Sequence, residues 1–201
     1  MATMIDLKKG ELSRHLTKAL KALSDGYFIA LPAEHGYVFV ADAFNRDGVR
    51  AMQVLRGAGD GVTAQVAIKN IKTAQGICRE LSPMAIKLAE KNWPGLLTLV
   101  VRPNRQLAWD LGDNGYLDEI AIRSPKAKFF KAILGKSGPL AFVSVAASGQ
   151  APILDPKLIS KSGDEPAIIF SNGKLRKGPQ STVVRAIGGQ IELMRQGAVN
   201  I

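Results

Sequence analysis

Several apolar runs in this chain end on residues able to hold an anion. "IAIRSPKAKFFKAI" places Arg123 at the end of a run, just before a segment with helical spacing. "GPLAFVSVAASGQAP" and "GPQSTVVR" set Ser144, Ser181 and Thr182 beside glycines at strand ends, where hydroxyls and amide N–H groups can hold phosphate or carboxylate oxygens. "ALPAEHGYVFVAD" puts Glu34, His35 and Tyr37 in a corner led by Pro32. "NWPGLLTLVV" carries one hydroxyl, Thr98, inside an apolar strand. That hydroxyl is either a satisfied buried group or a ligand contact. Trp93 reads as a packing anchor, with Gly95 permitting the turn.

The elements that must position these residues are legible from periodicity. Residues 8–26 read as a first helix, with Leu12, Leu16, Leu20 and Leu23 inward, His15 structural and Arg14, Lys18 and Lys21 solvated. Strands are expected at 27–32, 37–41, 64–68, 96–101, 119–124, 139–145, 166–171 and 181–187. Helices are expected at 48–55, 70–81, 82–92 and 126–134, with Ser82 as N-cap and Pro83 in the first turn. This is an α/β (α+β) pattern, an open mixed sheet with helices, in a single domain over 1–201.

Composition narrows the class. The chain has 201 residues, 46% of them hydrophobic, and suits one globular domain. No apolar run reaches membrane-spanning length, so a soluble, cytoplasmic protein with no membrane partner is expected. Cys78 is the single cysteine, and His15 and His35 are far apart, so no metal site is expected. The net charge of +10 favours polyanionic partners, although it is spread along the chain. The P-loop, GxGxxG, GxSxG and HExxH patterns are absent.

Taken in order, Pro32-Ala33-Glu34-His35-Gly36-Tyr37, Trp93-Pro94-Gly95-Leu96-Leu97-Thr98, Ile122-Arg123-Ser124-Pro125, Ser144-Val145-Ala146 and Ser181-Thr182-Val183-Val184 resemble the YrdC/Sua5 family of threonylcarbamoyl-AMP synthases. The closing "MRQG" resembles the family's domain end. The resemblance implies a twisted mixed sheet flanked by helices around a large central cavity. It also implies a reaction in which L-threonine and bicarbonate form N-carboxythreonine, which attacks the α-phosphate of ATP. The products are threonylcarbamoyl-AMP and pyrophosphate. ATP would be a substrate, with Mg2+, and no tightly bound cofactor is implied. The implied partners are the t6A transferase machinery and tRNA or double-stranded RNA.

By the same resemblance Arg56 is catalytic. Glu34, His35, Tyr37, Thr98, Arg123 and Ser144 bind substrate, with Arg123 gripping a carboxylate or carbamate through its free guanidinium fork. Arg56, Ser144, Ser181, Thr182 and Arg195 bind the nucleotide.

The sequence departs from the family at working positions. Ala33 and His35 stand where the first motif has threonines. The K-x-R motif falls on Arg56 and Ala58, the Asn of Ser-Ala-Asn is Ala146, and the Asp after Ser-Thr-Val-Val is Arg185. Three readings follow: a synthase with His35, Arg56 and Lys69 as replacements, a cavity reshaped by Ala33 and His35 for an altered carbamoyl-adenylate or adenylate ligand, or a weakened YrdC-like module that binds RNA or a nucleotide without synthesis. Lys126, Lys128 and Lys131, or Lys174, Arg176 and Lys177, would then track a phosphate backbone, or form solvated faces.

Overall fold

A computed structural model describes residues 2–57, 62–116, 118–159 and 166–201. The sheet has ten strands in the order β1-β8-β2-β3-β7-β4-β6-β5-β9-β10. They are β1 Thr3–Asp6, β2 Ile29–Pro32, β3 Tyr37–Asp42, β4 Gln65–Ala67, β5 Leu97–Val101, β6 Ile120–Arg123, β7 Leu140–Ser144, β8 Ile168–Ser171, β9 Thr182–Ile187 and β10 Gln190–Arg195. The helices are α1 Leu12–Ser24, α2 Arg46–Arg56, α3 Ile71–Ile77, α4 Pro83–Asn92 and α5 Lys128–Ser137.

Alternation along the strands divides the core into two layers. Phe39 and Ala41 of β3 face Val49 and Met52 of α2, within a cluster that also takes in Ala74 of α3 and Ala85 of α4. Val38 and Val40 point the other way, into a cluster with Ala19 and Leu23 of α1 and Phe129, Phe130 and Ile133 of α5. Strands covered on both faces read as unbroken apolar runs, which is why β2 and β3 were legible. Phe129 and Phe170 pack at 4.7 Å between centroids.

Four details differ from the sequence expectation. β1 and β10 were not foreseen. They lie at the sheet edges and are largely exposed, so they lack the apolar signature of the central strands. The first helix starts at Leu12, and Leu12 itself is exposed. His15 is buried with Nε2 2.7 Å from the Lys9 carbonyl, the structural role expected of it. The helix expected over 70–81 stops at Ile77. Cys78 turns extended and bridges Pro103 in antiparallel fashion, and the Arg79 amide donates to the Arg102 carbonyl at 2.9 Å.

Ser82 caps α4 by accepting from the Ala85 amide, as its position predicts. At the Trp93 corner the indole N–H donates to the Leu97 carbonyl at 2.7 Å. A Cβ on Gly95 would lie 2.5 Å from the Asn92 carbonyl oxygen, so the corner admits only glycine. The Gly95 amide donates to the Ser124 carbonyl, which fixes this corner to the end of β6, beside Arg123.

Burial pushes the Cys78 thiol from its ordinary 9.0 up to about 12. Near pH 8 its alkylation by iodoacetamide is therefore expected to be about a thousandfold slower than that of a free thiol. Rapid labelling of the native protein in a timed mass-spectrometric assay would contradict this burial.

Candidate active site

Helices α1 and α5 pack against β2 and β3. Further along the same face the strands carry Gln65 of β4, Arg123 of β6 and Ser144 of β7, and the chain forms a cavity of about 350 Å³. His35, Arg56, Ser181 and Arg195 complete its polar wall. Of the candidate residues, the fold thus brings His35, Arg56, Arg123, Ser144, Ser181 and Arg195 together. They come from the β2–β3 corner, the end of α2, the ends of β6 and β7, the approach to β9 and the end of β10.

Arg123 is the centre of the wall and is only 1% exposed. Its guanidinium carbon sits 5.1 Å from the centroid of the Phe142 ring. Nη2 donates to Glu34 Oε2 at 3.1 Å. The fork is therefore not free, as the sequence reading had it: one amine is committed to Glu34, while Nε is buried without a partner. Burial lowers the Arg123 pKa, Glu34 raises it and Arg195 lowers it further. An arginine so placed gains from a second anion.

Glu34 does not line the cavity. One carboxylate oxygen takes Arg123, and the other accepts from the Lys126 amide at the approach to α5. It is a positioning residue, where substrate contact was expected.

Period-two geometry corrects three further assignments. Tyr37 shares a face with Phe39, turned away from the cavity. Its hydroxyl donates to the Gly173 carbonyl at 2.7 Å and accepts from the Asn172 amide. Thr182 follows Ser181, so the two point to opposite sides. The Thr182 hydroxyl donates to the Val199 carbonyl and accepts from the amides of Gly197 and Val199. That uses its full hydrogen-bonding capacity, leaving nothing for a nucleotide. Thr98 lies on the cavity side of β5 but is buried behind Ser181, to which it donates at 3.0 Å.

Ser181 is thereby poised. Its oxygen accepts from Thr98 and, at 3.1 Å, from Arg195 Nη2. Both lone pairs are occupied, so its own proton is available to an acceptor in the cavity. Arg195 Nε and Nη2 also hold the Ser181 carbonyl at 3.2 and 3.0 Å. Ser144 accepts from the Ala146 amide at 3.2 Å and keeps its O–H free of a recorded acceptor.

Arg56 ends α2, where Gly57 adopts the left-handed φ of 65° that closes the helix. Its Nε is buried and unpartnered, and burial lowers its pKa. Ala58, the second K-x-R position, lies outside the described residues. Lys69 is exposed and outside the lining, so it does not supply the missing charge. Arg185 is turned away as well, paired with Glu119 by Nε at 3.0 and 3.1 Å. The Lys126, Lys128 and Lys131 set and the Lys174, Arg176 and Lys177 set are solvated.

Among the described residues, seven buried side-chain polar atoms lack a partner, and four line this one cavity: His35 Nδ1, Arg56 Nε, Gln65 Oε1 and Arg123 Nε. Orphaned buried polar atoms are costly, and their convergence marks a site built for a polar, anionic ligand. Among the described residues three arginines line it and no carboxylate does. The described residues contain no acidic, histidine or cysteine group suited to a metal ion. The described residues of the cavity lining offer magnesium no carboxylate.

Gln65 was missed from the sequence, although its signal resembles that of Thr98: one polar side chain inside an apolar strand.

His35 carries the pH dependence. Burial chiefly, then the charges of Arg123 and Arg195, hold its imidazole below the ordinary 6.5, with Glu34 opposing. The unfolded chain therefore takes up this proton at a higher pH than the folded one. The contribution of His35 to stability is full above pH 6.5 and is lost as pH falls from there through the folded value. His35→Gln is expected to remove this part of the pH dependence. Urea melts at neutral and mildly acidic pH would test it, and identical slopes in variant and parent would refute it.

Residues 21–197 match the family profile described as "Telomere recombination", the Sua5/YciO/YrdC domain. The chain belongs to the Sua5/YciO/YrdC family. A Mycobacterium tuberculosis protein, named provisionally as a threonylcarbamoyl-AMP synthase, is 30% identical over 189 residues, covering 94% of this chain and 86% of its own. The Bacillus subtilis threonylcarbamoyl-AMP synthase is 26% identical over 186 residues, 92% of this chain and 54% of its own. In fold, the chain matches P. abyssi Sua5 complexed with L-threonine at a TM-score of 0.84 and 23% identity. That match covers 98% of this chain and 57% of the other. E. coli YciO matches at 0.85 and 18% identity, covering 100% and 97%. The chain thus spans little more than half of the P. abyssi protein but nearly all of YciO. Among the described residues no helix is long and apolar enough to cross a membrane.

Proposed function

We propose that this member of the Sua5/YciO/YrdC family is a nucleotidyltransferase that makes threonylcarbamoyl-AMP from L-threonine, bicarbonate and ATP. The observation that carries the reading is the convergence of four unpartnered buried polar atoms and three arginines on one cavity. The names of its relatives at 26–30% identity support it, as does the L-threonine in P. abyssi Sua5.

The amine of threonine adds to the carbonyl carbon of bicarbonate, and loss of water leaves a carbamate. A carbamate oxygen attacks the α-phosphorus of ATP, the bond from that phosphorus to the bridging oxygen breaks, and pyrophosphate leaves. Arg123 Nε holds the amino-acid carboxylate. Neutral His35 accepts the proton that the threonine ammonium must lose before its nitrogen can add to bicarbonate. Arg56, Arg195 and the Ser181 hydroxyl hold phosphate oxygens, with Ser144 beside them, and stabilise charge that builds on the leaving pyrophosphate. The acyl adenylate would pass to the t6A transferase machinery acting on tRNA.

A second reading, binding without synthesis, is favoured by Ala146 and by the exposure of Lys69, which leave Arg56 as the described remnant of K-x-R. One assay separates the two. Pyrophosphate release that needs threonine, bicarbonate and ATP together, with threonylcarbamoyl-AMP seen by mass spectrometry, is expected. ATP binding with no such release would replace synthesis by the second reading.

A further inference from the structure

A second charged cleft lies at the other ends of the strands that frame the cavity. Arg102, Pro103 and Arg105 follow β5, Asp118 and Glu119 precede β6, and Arg79 follows α3. Together they line about 270 Å³. The cavity instead lies by Thr98, early in β5 and behind Ser181, and takes Arg123 from the close of β6, so the two sites are separated along the same strands.

The backbone forces like charges together here. Because Cys78 bridges Pro103 in antiparallel register, Arg79 and Arg102 stand directly opposite, joined by an amide-to-carbonyl bond of 2.9 Å. Like charges directly opposite are destabilising, and Arg105 adds a third. Among the described residues none of the three guanidinium groups has a recorded hydrogen bond or ion pair. The acids across the cleft offset this charge only in part, with Glu119 acting on Arg102. Glu119 is held by Arg185 and shares its remaining charge with Arg102, so among the described residues of the lining Asp118 is the carboxylate without a recorded hydrogen bond or ion pair. All three arginines are exposed, and the backbone gathers their charge at one place.

We propose that this cleft is a phosphate-binding site, separate from the cavity, that takes backbone phosphates of a nucleic acid. Guanidinium forks match phosphate oxygens bidentately. The occupant is a backbone and not a free nucleotide, because among the described residues the lining holds no aromatic ring and Pro103 is its single apolar residue, leaving a base little to stack on. The proposal goes beyond the synthase reading and does not depend on it.

The test uses Arg79→Ala/Arg102→Ala, with Arg79→Lys/Arg102→Lys as the charge-retaining control. Binding of a fluorescein-labelled RNA hairpin is followed by anisotropy at about 50 and about 200 mM salt. The alanine pair is expected to lose roughly tenfold or more in affinity at the lower salt. Its slope of log affinity against log salt should be shallower by roughly 1.5, the scale for two phosphate contacts. The lysine pair keeps the slope. The melting temperature of the alanine pair stays level or rises, because the repulsion is relieved. Pyrophosphate release from threonine, bicarbonate and ATP is unchanged, so a failed synthase assay in the parent would not touch this result. Unchanged RNA affinity and slope in the alanine pair would overturn nucleic-acid binding here. If pyrophosphate nevertheless protected the parent and not the variant from melting, the cleft would be a site for free phosphates. A marked fall in melting temperature would assign the arginines to the fold and end the proposal.

Discussion

Replacing Glu34 with alanine is expected to lower the melting temperature by roughly 6–20 °C, the largest single effect on stability anticipated here. Among the described residues Glu34 is the one carboxylate paired with Arg123, whose side chain is 1% exposed against 14% for Glu34. Removing one partner of a buried pair leaves the other charge uncompensated, at a cost of about 3–5 kcal/mol. For a chain of this size each kcal/mol moves the midpoint by about 2–4 °C. The substitution also strips the Lys126 amide of its acceptor, loosening the approach to α5. Glu34→Gln keeps an acceptor without the charge and should fall between. Combining Glu34→Gln with Arg123→Met should recover part of the loss, since deleting both charges removes the uncompensated one. Calorimetry of the parent, Glu34→Gln, Arg123→Met and the double variant completes the cycle. A change under about 2 °C for Glu34→Ala would show that Arg123 is solvated some other way.

Arg56→Ala is expected to show the opposite signature, a large loss of ATP affinity with little change in melting temperature. Among the described residues Arg56 has no recorded ion-pair partner, and burial disfavours its charge. Removing it relieves a desolvation cost that the folded chain bears without return. What it would lose is a charge-assisted contact to phosphate, worth about 1.5–3 kcal/mol, or roughly one to two powers of ten in affinity. Isothermal titration with ATP, beside a melting curve, checks both halves. Equal ATP affinity in parent and variant would remove Arg56 from the nucleotide subsite. A steep fall in melting temperature would make it a structural residue.

The two residues show what the sequence made visible. Arg123 was legible as a site residue because it breaks an apolar strand at its end. Its pairing with Glu34 was not, because the two lie far apart in the chain and only the fold sets them side by side. The central strands could be read because both faces are buried; the edge strands β1 and β10, exposed, could not. Among the hydroxyls, alternation separated Ser181 from Thr182 once the register of β9 against β5 was known, with Thr98 facing Val183. Sequence alone had grouped them. Gln65 could have been found by the rule that singled out Thr98, a lone polar side chain in an apolar strand. Tyr37 looked functional from its motif, but its hydroxyl reaches the segment after β8, a contact that no local pattern encodes.

The sheet order carries a consequence for how the chain is made. Strand β1 pairs with β8, Thr3 facing Ile168, and β2 also meets β8 at Ala30 and Ile169. At a translation speed of roughly 5–20 residues per second, the partner of β1 leaves the ribosome roughly ten to thirty seconds after it. Through that interval β1 and the outer edge of β2 wait as open strand edges, templates for mispairing with a neighbouring nascent chain. The β9–β10 hairpin has no such delay. Nascent chains halted before β8 should accordingly be the aggregation-prone ones and the ones that holding chaperones retain, whereas chains halted after β8 should already resist protease.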